Sequence, residues 1–585
     1  MTGMMTSPMR FLSPPVLAAI VLAFGACSRG ESAATPEAAA TWSPEQLTAV
    51  NGVPIAELQT AMERKLSEAA PVTIDAEQWR HAKKLYEAYG GNPLWLTSKG
   101  LHEQRTKALT DAILNAHADA LRLDDYPISR LATALAAVKQ AERPTAEQLV
   151  EADVVLTATY AALGEDLLTG QINPRTVAQS WHVDPQEENV DSALARGLRI
   201  AALDKSLATM RPQDSDYAAL SRELLRYREL VVRGGWPRVP ETESVKPGEP
   251  IPVAVAEALR ARLAAEGIAV PAAPAGDTAA RTAPDGAKAS AQHAATVYDR
   301  GLAGAVAQFQ ARHTIVVDSV LGGGTLEALN QPAQYRLAQI AANMERYRWL
   351  PRLFGSRYIF VNVPAFRLEA YDGGRKALEM RVIVGEEYEN RATPVFSDSM
   401  SYVVFRPYWL VPPSIAQNEI FPKGGAYIAA NNMEVYTAQG ERRVRQRPGP
   451  KNSLGLIKFM FPNDFNIYLH DTPHGDLFEE DIRAFSHGCI RVEKPDELGA
   501  WALGWPADSV RSRMETGADD RTVQLDRKIP VYIAYVTTFM RDGALHFGND
   551  LYSRDDKLIP AVAPAALPSA QAVDAVQALR RIVER

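Results

Sequence analysis

The sequence predicts a multidomain α+β protein with a helical N-terminal part and a mostly β domain towards the C-terminus. Its 585 residues are too many for one hydrophobic core and indicate roughly three or four domains. Apolar residues recur every three or four positions in the first part, which is typical of amphipathic helices. After about residue 357 the chain changes to β-branched and aromatic runs that partly alternate, which is typical of strands.

The composition is that of an ordinary globular protein and limits the classes of partner. Hydrophobic residues make up 46% and charged residues 23% of the chain, and the formal net charge is −7. A protein that binds nucleic acid needs a basic surface, so this charge argues against a nucleic-acid partner. Two cysteines, Cys27 and Cys489, are too few for a disulfide framework.

Residues 1–27 are predicted to be an export signal. Arg10 precedes a short apolar run over residues 11–24, and small residues follow it directly before Cys27. This order indicates a signal peptide rather than a membrane span. The small residues before Cys27 resemble the lipobox of bacterial lipoproteins, which implies a diacylglycerol on Cys27 and a lipid-anchored protein in the periplasm. Phe24 stands where that motif usually has Leu, so simple cleavage nearby stays open.

A flexible tether over residues 28–44 and a helical domain over residues 45–245 are predicted next. The tether is rich in Ala, Ser, Glu and Pro, a composition that does not form a packed core. In the helical domain, Ala82–Tyr89 and Val154–Leu163 carry apolar residues at helical spacing. The glycine pair that begins at Gly90 is predicted to end the first of these helices.

Residues 250–331 form the following predicted unit. An Ala-, Pro-, Gly- and Asp-rich insert over residues 271–293 is expected to be disordered. A helix around Phe309 and Gln310 comes next, and a glycine-rich turn then leads into a short helix that Thr325 is expected to cap. This order of elements resembles the small three-helix peptidoglycan-binding domain, which implies that the unit binds peptidoglycan.

A mostly β domain is predicted over residues 340–556, after a helix over Leu337–Trp349. Six β-branched or aromatic runs indicate its strands: Arg357–Val363, Met380–Val384, Tyr402–Phe405, Ile457–Phe461, Ile467–His470 and Val531–Val536. Asp372–Gly374 predicts a hairpin turn. Residues 557–585 are predicted to be a tail with one short helix, whose apolar face includes Leu579.

Cys489 is the candidate for nucleophilic chemistry, because it stands in the run Ser486-His487-Gly488-Cys489-Ile490-Arg491. Acyl transfer by cysteine needs a thiolate, a base, a group that orients the base, and donors for the oxyanion. A free thiol has a pKa of ~8.5, and a paired histidine or a nearby positive charge lowers it. Three histidines are near enough in sequence to supply the base: His470, His474 and His487.

The alternation of side chains along a strand separates these histidines. In the predicted strand, Ile467 and Leu469 face one way and belong in a core. Tyr468 and His470 therefore face the other way, towards a site. The backbone carbonyl of Asp471 begins a polar turn and could orient the imidazole.

The same alternation applies to the chain around the cysteine. If the backbone is extended after Gly488, Cys489 and Arg491 share a face, so the guanidinium lies near the thiolate. Gly488 allows the backbone to approach a substrate closely, and the amides of residues 487–489 are natural donors for the oxyanion.

These residues resemble a known catalytic signature. A histidine followed about fifteen residues later by Ser-His-Gly-Cys, here His470 and Ser486–Cys489, resembles the L,D-transpeptidases with the YkuD-type catalytic domain. The runs Arg447–Phe459 and Gly234–Pro237 resemble the large murein L,D-transpeptidases that carry a scaffold domain and a lid. The resemblance implies a scaffold in the helical domain, a catalytic β domain, and a lid over about residues 409–447.

The resemblance also implies a role for each site residue. Cys489 is the nucleophile, His470 the general base, and the Asp471 carbonyl the group that orients it. Four neighbours shape the oxyanion site and the thiolate: Ser486, His487, Gly488 and Arg491. Tyr468 lines the substrate site, and Arg491 stands where shorter relatives often carry Asn. The resemblance implies no metal and no cofactor.

The family's reaction is implied as well. Cys489 would attack the carbonyl of the third residue of a tetrapeptide stem and release the terminal D-alanine. The thioester would pass to the side-chain amine of another stem, which gives a 3→3 cross-link, or to water, which gives carboxypeptidase activity. The implied partners are peptidoglycan stems, carbapenem-type β-lactams as covalent inhibitors, and the membrane only through the lipid on Cys27.

Two other functions stay open on the sequence alone. His470, His474, His487 and Cys489 could ligate zinc in a murein peptidase, since a catalytic zinc takes three protein ligands and a water. No acidic general base stands in a recognisable motif to complete such a site. Alternatively, the chain could be a non-catalytic peptidoglycan-binding lipoprotein that kept the fold, although an intact pair of Cys489 and His470 argues against this.

Overall fold

The computed structural model describes residues 41–178, 180–183, 189–271, 295–386 and 391–584. The predicted signal peptide, the lipidation at Cys27 and most of the tether lie outside these residues, as does nearly all of the predicted insert. Within the described ranges, no helix is both long and apolar enough to cross a bilayer.

The N-terminal part is helical, as predicted. Its helices are α1 (Ile55–Ser67), α2 (Ala76–Ala88), α3 (Glu103–Leu114), α4 (Ile128–Gln140), α5 (Ala146–Thr169), α6 (Pro174–Val177), α7 (Val190–Leu198), α8 (Leu203–Met210) and α9 (Ser215–Val232). Its short strands are β1 (Ala49–Val50), β2 (Val53–Pro54), β3 (Leu96–Thr97), β4 (Gly100–Leu101) and β5 (Trp181–His182). The two predicted helices lie in α2 and α5, and Gly90, with φ +69°, follows the end of α2.

A separate small core lies between residues 239 and 330. Strands β6 (Pro250–Pro252) and β7 (Ala295–Val297) pair antiparallel on either side of the predicted insert. Helices α10 (Val253–Ala265), α11 (Arg300–Arg312) and α12 (Gly323–Leu329) pack around Phe309.

The prediction that Thr325 caps the short helix is wrong. Helix α12 begins at Gly323, so Thr325 lies inside its first turn. The Thr325 hydroxyl instead donates to the Val320 carbonyl at 3.1 Å and accepts from the Gln310 side chain at 3.1 Å. The residue before the first turn is Gly322, with extended backbone, so the helix starts three residues earlier than a Thr325 cap would place it.

Helix α13 (Ala333–Trp349) joins the helical part to the β domain. Nearly all of its residues are buried, and it packs against α9 on one side. Its Trp349 indole donates to the Ile172 carbonyl at 2.9 Å, while Asn343 bonds Thr537 in the β domain. The helix is therefore part of the core of the β domain as well as of the helical part.

The β domain is a largely antiparallel, barrel-like sheet with flanking helices, and it includes the segment predicted as a lid. The elements are β8 (Arg357–Asn362), β9 (Arg367–Asp372), β10 (Arg375–Gly385), β11 (Val395–Phe405), β12 (Trp409–Leu410), α14 (Pro413–Ile415), α15 (Gly424–Ala430), β13 (Met433–Ala438), β14 (Glu441–Gln446), β15 (Ile457–Met460), β16 (Leu469–His470), β17 (Ala484–Ser486), β18 (Ile490–Val492), α16 (Pro495–Leu503), α17 (Ala507–Thr516), β19 (Arg521–Ala534), β20 (Thr538–Arg541) and β21 (Ala544–Phe547).

The main sheet closes on itself. Its strand order is β15-β16-β18-β10-β9-β8-β19-β11, and β11 also pairs with β15. Strand β5 of the helical part adds to β11 in parallel, and β17 pairs with β10. The pairs β16–β18 and β19–β8 are also parallel, whereas the other pairs around the ring are antiparallel.

All six predicted strands occur, with changed ends. The hairpin turn between β9 and β10 is confirmed, and Gly373 and Gly374 both have positive φ. The predicted strand over residues 467–470 shortens to β16. The Asn463 side chain takes the place of a neighbouring strand at Ile467, because it accepts from the Ile467 amide at 3.2 Å and donates to the Ile467 carbonyl at 2.8 Å.

The segment predicted as a lid folds as a small unit of its own. Strands β12, β14 and β13 form a three-stranded sheet, and a π-helical turn, Ala416–Ile420, leads from α14 towards α15. Apolar side chains of the segment pack on one another, with Val444 fully buried at their centre.

The C-terminal residues contain two helices rather than the predicted tail with one. These are α18 (Asp555–Ala566) and α19 (Ala570–Val583). Helix α18 was not predicted because Pro560 and Pro564 stand inside it, and proline normally disfavours a helix interior. Helix α19 packs on α4 through its buried Leu579, which returns the chain to the helical part.

We expect Asn343→Ala to lower the free energy of unfolding by about 3 kcal/mol, because a buried hydrogen-bonding group would lose its partner. Asn343 is fully buried, donates to the Thr537 and Thr538 hydroxyls, and accepts from the Thr537 amide at 2.7 Å. Urea denaturation followed by tryptophan fluorescence measures the change. Gln140→Ala, at the exposed end of α4, is the control. A loss below about 1 kcal/mol would show that the contact does not hold α13 to the β domain.

Candidate active site

Two short parallel strands bring the candidate residues together. Strand β16 pairs with β18 so that Leu469 lies opposite Ile490 and His470 lies opposite Arg491. The Ile490 amide donates to the Tyr468 carbonyl at 3.1 Å, which extends the pairing by one residue. This register places the histidine strand directly beside the cysteine strand.

The side chains alternate across these strands as the sequence predicted. Leu469, Ile490 and Val492 are fully buried in the core of the sheet. Successive strand residues point to opposite faces, so Tyr468, His470, Cys489 and Arg491 share the other face. His487 and Gly488 precede this strand in the connecting turn.

The turn before the cysteine is held by buried hydrogen bonds. Gly488 has φ +111°, a backbone region that side-chain-bearing residues rarely adopt. The Thr393 hydroxyl donates to the Gly488 carbonyl at 2.9 Å and accepts from the Gly385 amide at 3.0 Å. The Ser486 hydroxyl donates to the Cys489 carbonyl at 2.5 Å. Cys489 therefore follows a turn with little conformational freedom.

The amides of this turn differ in their availability to an oxyanion. The Gly488 amide donates to the Ser486 hydroxyl at 3.2 Å, so it does not point freely at a substrate, in contrast to the sequence-based expectation. Among the described residues, the Cys489 amide has no hydrogen-bond partner. The Cys489 amide is therefore a donor in this turn that is available to an oxyanion.

The thiol of Cys489 is protonated at rest. Burial raises its pKa to about 11, against smaller lowering effects of the Tyr468 amide and hydroxyl and of the Arg491 guanidinium. Its Sγ–H points at the Asn466 carbonyl, 3.7 Å away. The positive charge of Arg491 lowers this pKa as expected, but the desolvation of a thiolate outweighs that attraction, so the net shift is upward.

His470 is neutral and oriented. Burial, followed by the positive charges of Arg491 and Lys458, lowers its pKa to about 3. Its Nδ1 lies 2.6 Å from the Asp471 carbonyl oxygen, and a carbonyl only accepts, so Nδ1 carries the proton. The lone pair of a neutral ring is then on Nε2, which is the atom that can accept a proton.

The residue that orients His470 is itself fixed. The Asp471 carboxylate accepts from the Leu456 amide at 2.8 Å and from the Thr472 amide at 2.7 Å. Gly455 has φ +62°, and a Cβ at this position would lie 2.3 Å from the Asp471 carboxylate. Among the described residues no hydrogen bond joins Cys489 directly to His470. The pair shares a face without a preformed thiolate–imidazolium ion pair.

His487 reaches the lid instead of the thiol. Its Nε2 lies 2.7 Å from a carboxylate oxygen of Glu419, in the π-helical turn of the lid. Arg391 donates to the same Glu419 oxygen at 2.9 Å. Glu419 therefore connects the turn before Cys489 to the segment predicted as a lid, through a contact across 68 residues that local sequence patterns do not predict.

The zinc alternative does not fit this geometry. His470, His474, His487 and Cys489 are all described, yet no three of them bring ligand atoms together. In the part of the chain that the structure describes, the group whose possible ligand atoms lie within 4.8 Å of one another is formed by Glu77, His81 and Glu165 in the helical part. The Arg80 guanidinium already lies 3.2 Å from the His81 ring nitrogen there.

Several residues of the site were not found from the sequence. Thr393, Asn466 and Glu419 contact the cysteine turn or its thiol, but each comes from a distant loop or from the lid. Lys458 had a signal in the sequence, because it alternates with the apolar residues Ile457 and Phe459 in a predicted strand and must face the opposite side.

Comparisons with known proteins agree with this architecture. Residues 356–533 match the L,D-transpeptidase catalytic domain family of the YkuD type, and residues 80–224 match the scaffold domain family. A Haemophilus influenzae protein named "Putative L,D-transpeptidase" is 33% identical over 243 residues, which cover 38% of this chain and 48% of that protein. The chain therefore spans about half the length of this relative.

One solved structure aligns with part of this chain. It is the crystal structure of an L,D-transpeptidase fragment from Xylanimonas cellulosilytica, 14% identical in sequence with a TM-score of 0.15. The alignment covers 50% of this chain and 99% of that chain.

The chain is thus a multidomain α+β protein in which a mostly β domain follows a helical region. More specifically, the chain carries an L,D-transpeptidase catalytic domain of the YkuD type and a separate scaffold domain, as the sequence predicted.

We expect the burial of neutral His470 to make folding stability depend on pH. The folded-state pKa of about 3 lies below that of an unfolded histidine, ~6.5, so the unfolded chain takes up the proton first as the pH falls. This contribution is fully present above pH ~6.5 and is lost below it. Between pH 7 and pH 5 the wild type should lose about 2 kcal/mol more than His470→Gln, as measured by urea denaturation.

His474→Gln, at an exposed histidine of the adjacent loop, is the matched control for that measurement. Equal losses for the wild type and His470→Gln would contradict the neutral state of His470.

Proposed function

We propose that this protein is a peptidoglycan L,D-transpeptidase that forms 3→3 cross-links through a thioester on Cys489. The observation that supports the proposal best is the oriented, neutral His470 on the same face as Cys489, one strand away. A cysteine nucleophile, a base whose tautomer is fixed by a carbonyl, and a free backbone amide are the parts that acyl transfer needs.

The first half of the reaction acylates the cysteine. Because the thiol and His470 are both neutral at rest, His470 Nε2 takes the thiol proton as Sγ attacks the carbonyl of the third stem residue. The Cys489 amide and the Tyr468 hydroxyl stabilise the oxyanion. The C–N bond to the terminal D-alanine then breaks, and His470 returns the proton to the leaving amine. The products are free D-alanine and the thioester.

The second half transfers the acyl group. The side-chain amine of a second stem attacks the thioester, a C–N bond forms, and the C–S bond breaks. His470 removes the proton of the attacking amine and returns one to the thiolate. Water in place of the amine would release a tripeptide, which is the carboxypeptidase side reaction. A β-lactam of the carbapenem type would acylate the same thiol.

The lid determines whether the amine of a second stem or water accepts the acyl group. Segment 409–447 carries Glu419 to the turn of the nucleophile, where it bonds His487. A closed lid excludes bulk water from the thioester until an acceptor stem enters.

We further propose how the protein is placed in the cell wall. The signal over residues 1–27 exports it, a lipid on Cys27 anchors it in the periplasm, and the unit over residues 250–331 binds peptidoglycan. The helical region 45–245 acts as the scaffold on which the catalytic domain is mounted through α13.

We expect the full-length protein to form a covalent adduct on Cys489 with a tetrapeptide donor and with a carbapenem. Peptide mapping by mass spectrometry locates the adduct. His470→Ala should slow acylation by about 10²- to 10⁴-fold, the usual contribution of a general base. Addition of EDTA should not change the rate of acylation by the tetrapeptide donor or by the carbapenem.

Cys489→Ala, which retains the other cysteine, Cys27, is the matched control for the adduct. If the wild type binds peptidoglycan but no adduct forms on Cys489 with either reagent, the protein is a non-catalytic wall-binding protein and the proposal fails.

We expect Glu419→Ala to divert the thioester towards water. The side chains of Glu419 and His487 are each about a third exposed, so their hydrogen bond is worth about 1 kcal/mol. Its loss should raise the ratio of hydrolysed to cross-linked product about fivefold. Mass analysis of the products with both stems present measures this ratio, and Glu441→Ala at the exposed tip of the lid is the control. An unchanged ratio with slower acylation would place Glu419 in positioning the turn rather than in closing the lid.

A further inference from the structure

A row of three basic side chains crosses the site. Lys458 on β15 lies opposite His470 on β16, which lies opposite Arg491 on β18. Neighbouring strands are ~4.8 Å apart, so the Lys458 and Arg491 Cα atoms flank His470 and are about 10 Å from each other. The row runs perpendicular to the strands, and Cys489 adjoins its Arg491 end.

The three side chains lie on the face of the nucleophile. Ile457 and Phe459, on either side of Lys458, are fully buried in the core of the sheet. Because strand residues alternate, Lys458 points to the opposite face, as His470 and Arg491 do. Lys458 therefore belongs to the site by its position in the sheet, besides standing in the run Arg447–Phe459.

Within the described ranges, neither cation of the row contacts an acidic side chain. Among the described residues, the Lys458 ammonium makes no hydrogen bond and no salt bridge, and Asp520 affects it only at longer range. The Arg491 guanidinium donates to the Phe485 carbonyl at 3.1 Å, while Glu386 acts on it only through its charge.

Unpaired cations in a partly buried site are costly to the fold. Burial lowers the pKa of Lys458 and of Arg491, and both charges lower the pKa of His470. A buried charge normally has an ionic or hydrogen-bonding partner, because desolvation is otherwise uncompensated. The free Lys458 ammonium thus indicates that an anion from outside the chain completes the row.

We propose that Lys458 is a carboxylate-binding residue of the donor site, which holds a carboxylate of the stem peptide beside His470. This inference rests on the proposed function, because it takes the stem peptide as the ligand. A donor stem can offer two such groups: the terminal carboxylate of D-alanine, and the side-chain carboxylate of a diamino diacid at the third position. The terminal carboxylate lies within about 4 Å of the scissile carbonyl, since one residue spans ~3.5 Å.

A flexible lysine suits this role. An ammonium on a four-carbon stem is a point charge that can follow a carboxylate from several directions, whereas Arg491 presents a planar fork. Lys458 would fix the position of the stem along the strands. His470 would stay neutral, because the bound carboxylate faces the ammonium rather than the imidazole.

The test measures binding separately from chemistry. In the Cys489→Ala background of the full-length protein, titration calorimetry gives the Kd of three tetrapeptide donors: one with both carboxylates, one with a C-terminal amide, and one with lysine in place of the diamino diacid. We expect Lys458→Met to weaken the first donor about tenfold or more, the usual effect of losing a charge-assisted hydrogen bond. Lys458→Arg should retain most of the affinity.

The other two donors identify the carboxylate. If Lys458→Met leaves the Kd of the C-terminal amide donor unchanged, the terminal carboxylate is the ligand of Lys458. If it leaves the Kd of the lysine donor unchanged, the side-chain carboxylate is the ligand. Lys528→Met removes the same charge from the exposed side of β19 and should leave every Kd unchanged.

Two results would overturn the inference. One is an unchanged Kd of Lys458→Met for the first donor; the other is an equal loss for all three donors in a variant whose thermal unfolding matches the wild type. The failure of the proposed function has a different signature, namely absence of acylation at Cys489 in the wild type, whatever the pattern of Kd values.

Discussion

The parallel pairing of β16 with β18 is the constraint on which the site depends. These strands are only two and three residues long, yet their register decides which face each side chain takes. A slip of one residue would turn Cys489 into the core and Ile490 into the site. The surrounding hydrogen bonds of Ser486 and Thr393 hold this register at the turn before the cysteine.

The same packing sets the electrostatics of the site. Burial disfavours charge on both reacting groups, so Cys489 keeps its proton and His470 lacks one. In the proposed reaction, the thiol proton therefore moves to His470 when the sulfur attacks. In the proposed site, the basic charges of the row lie beside Cys489 and His470, where they would attract an anionic substrate, whereas Arg491 lowers the pKa of the thiol less than burial raises it.

Much of this arrangement could be predicted from the sequence, and the remainder has a physical reason for being hidden. Strand alternation predicted that His470 and Cys489 face away from the core, and the family resemblance predicted the catalytic and scaffold domains. The net pKa direction of Cys489 could not be predicted, because desolvation depends on burial that the sequence does not display. The contact of His487 with Glu419 depends on how the lid folds back, and α18 was concealed by its prolines.

Strand β5 has a consequence for how such a protein can be divided. Two residues of the helical region, Trp181 and His182, pair with Val395 and Phe396 at the start of β11. Without them, that stretch would present bare backbone donors and acceptors beside apolar side chains, a surface on which other chains add and aggregate. The helical region thus covers this edge of the β-domain sheet, so the two parts are best inherited, expressed and engineered as one piece.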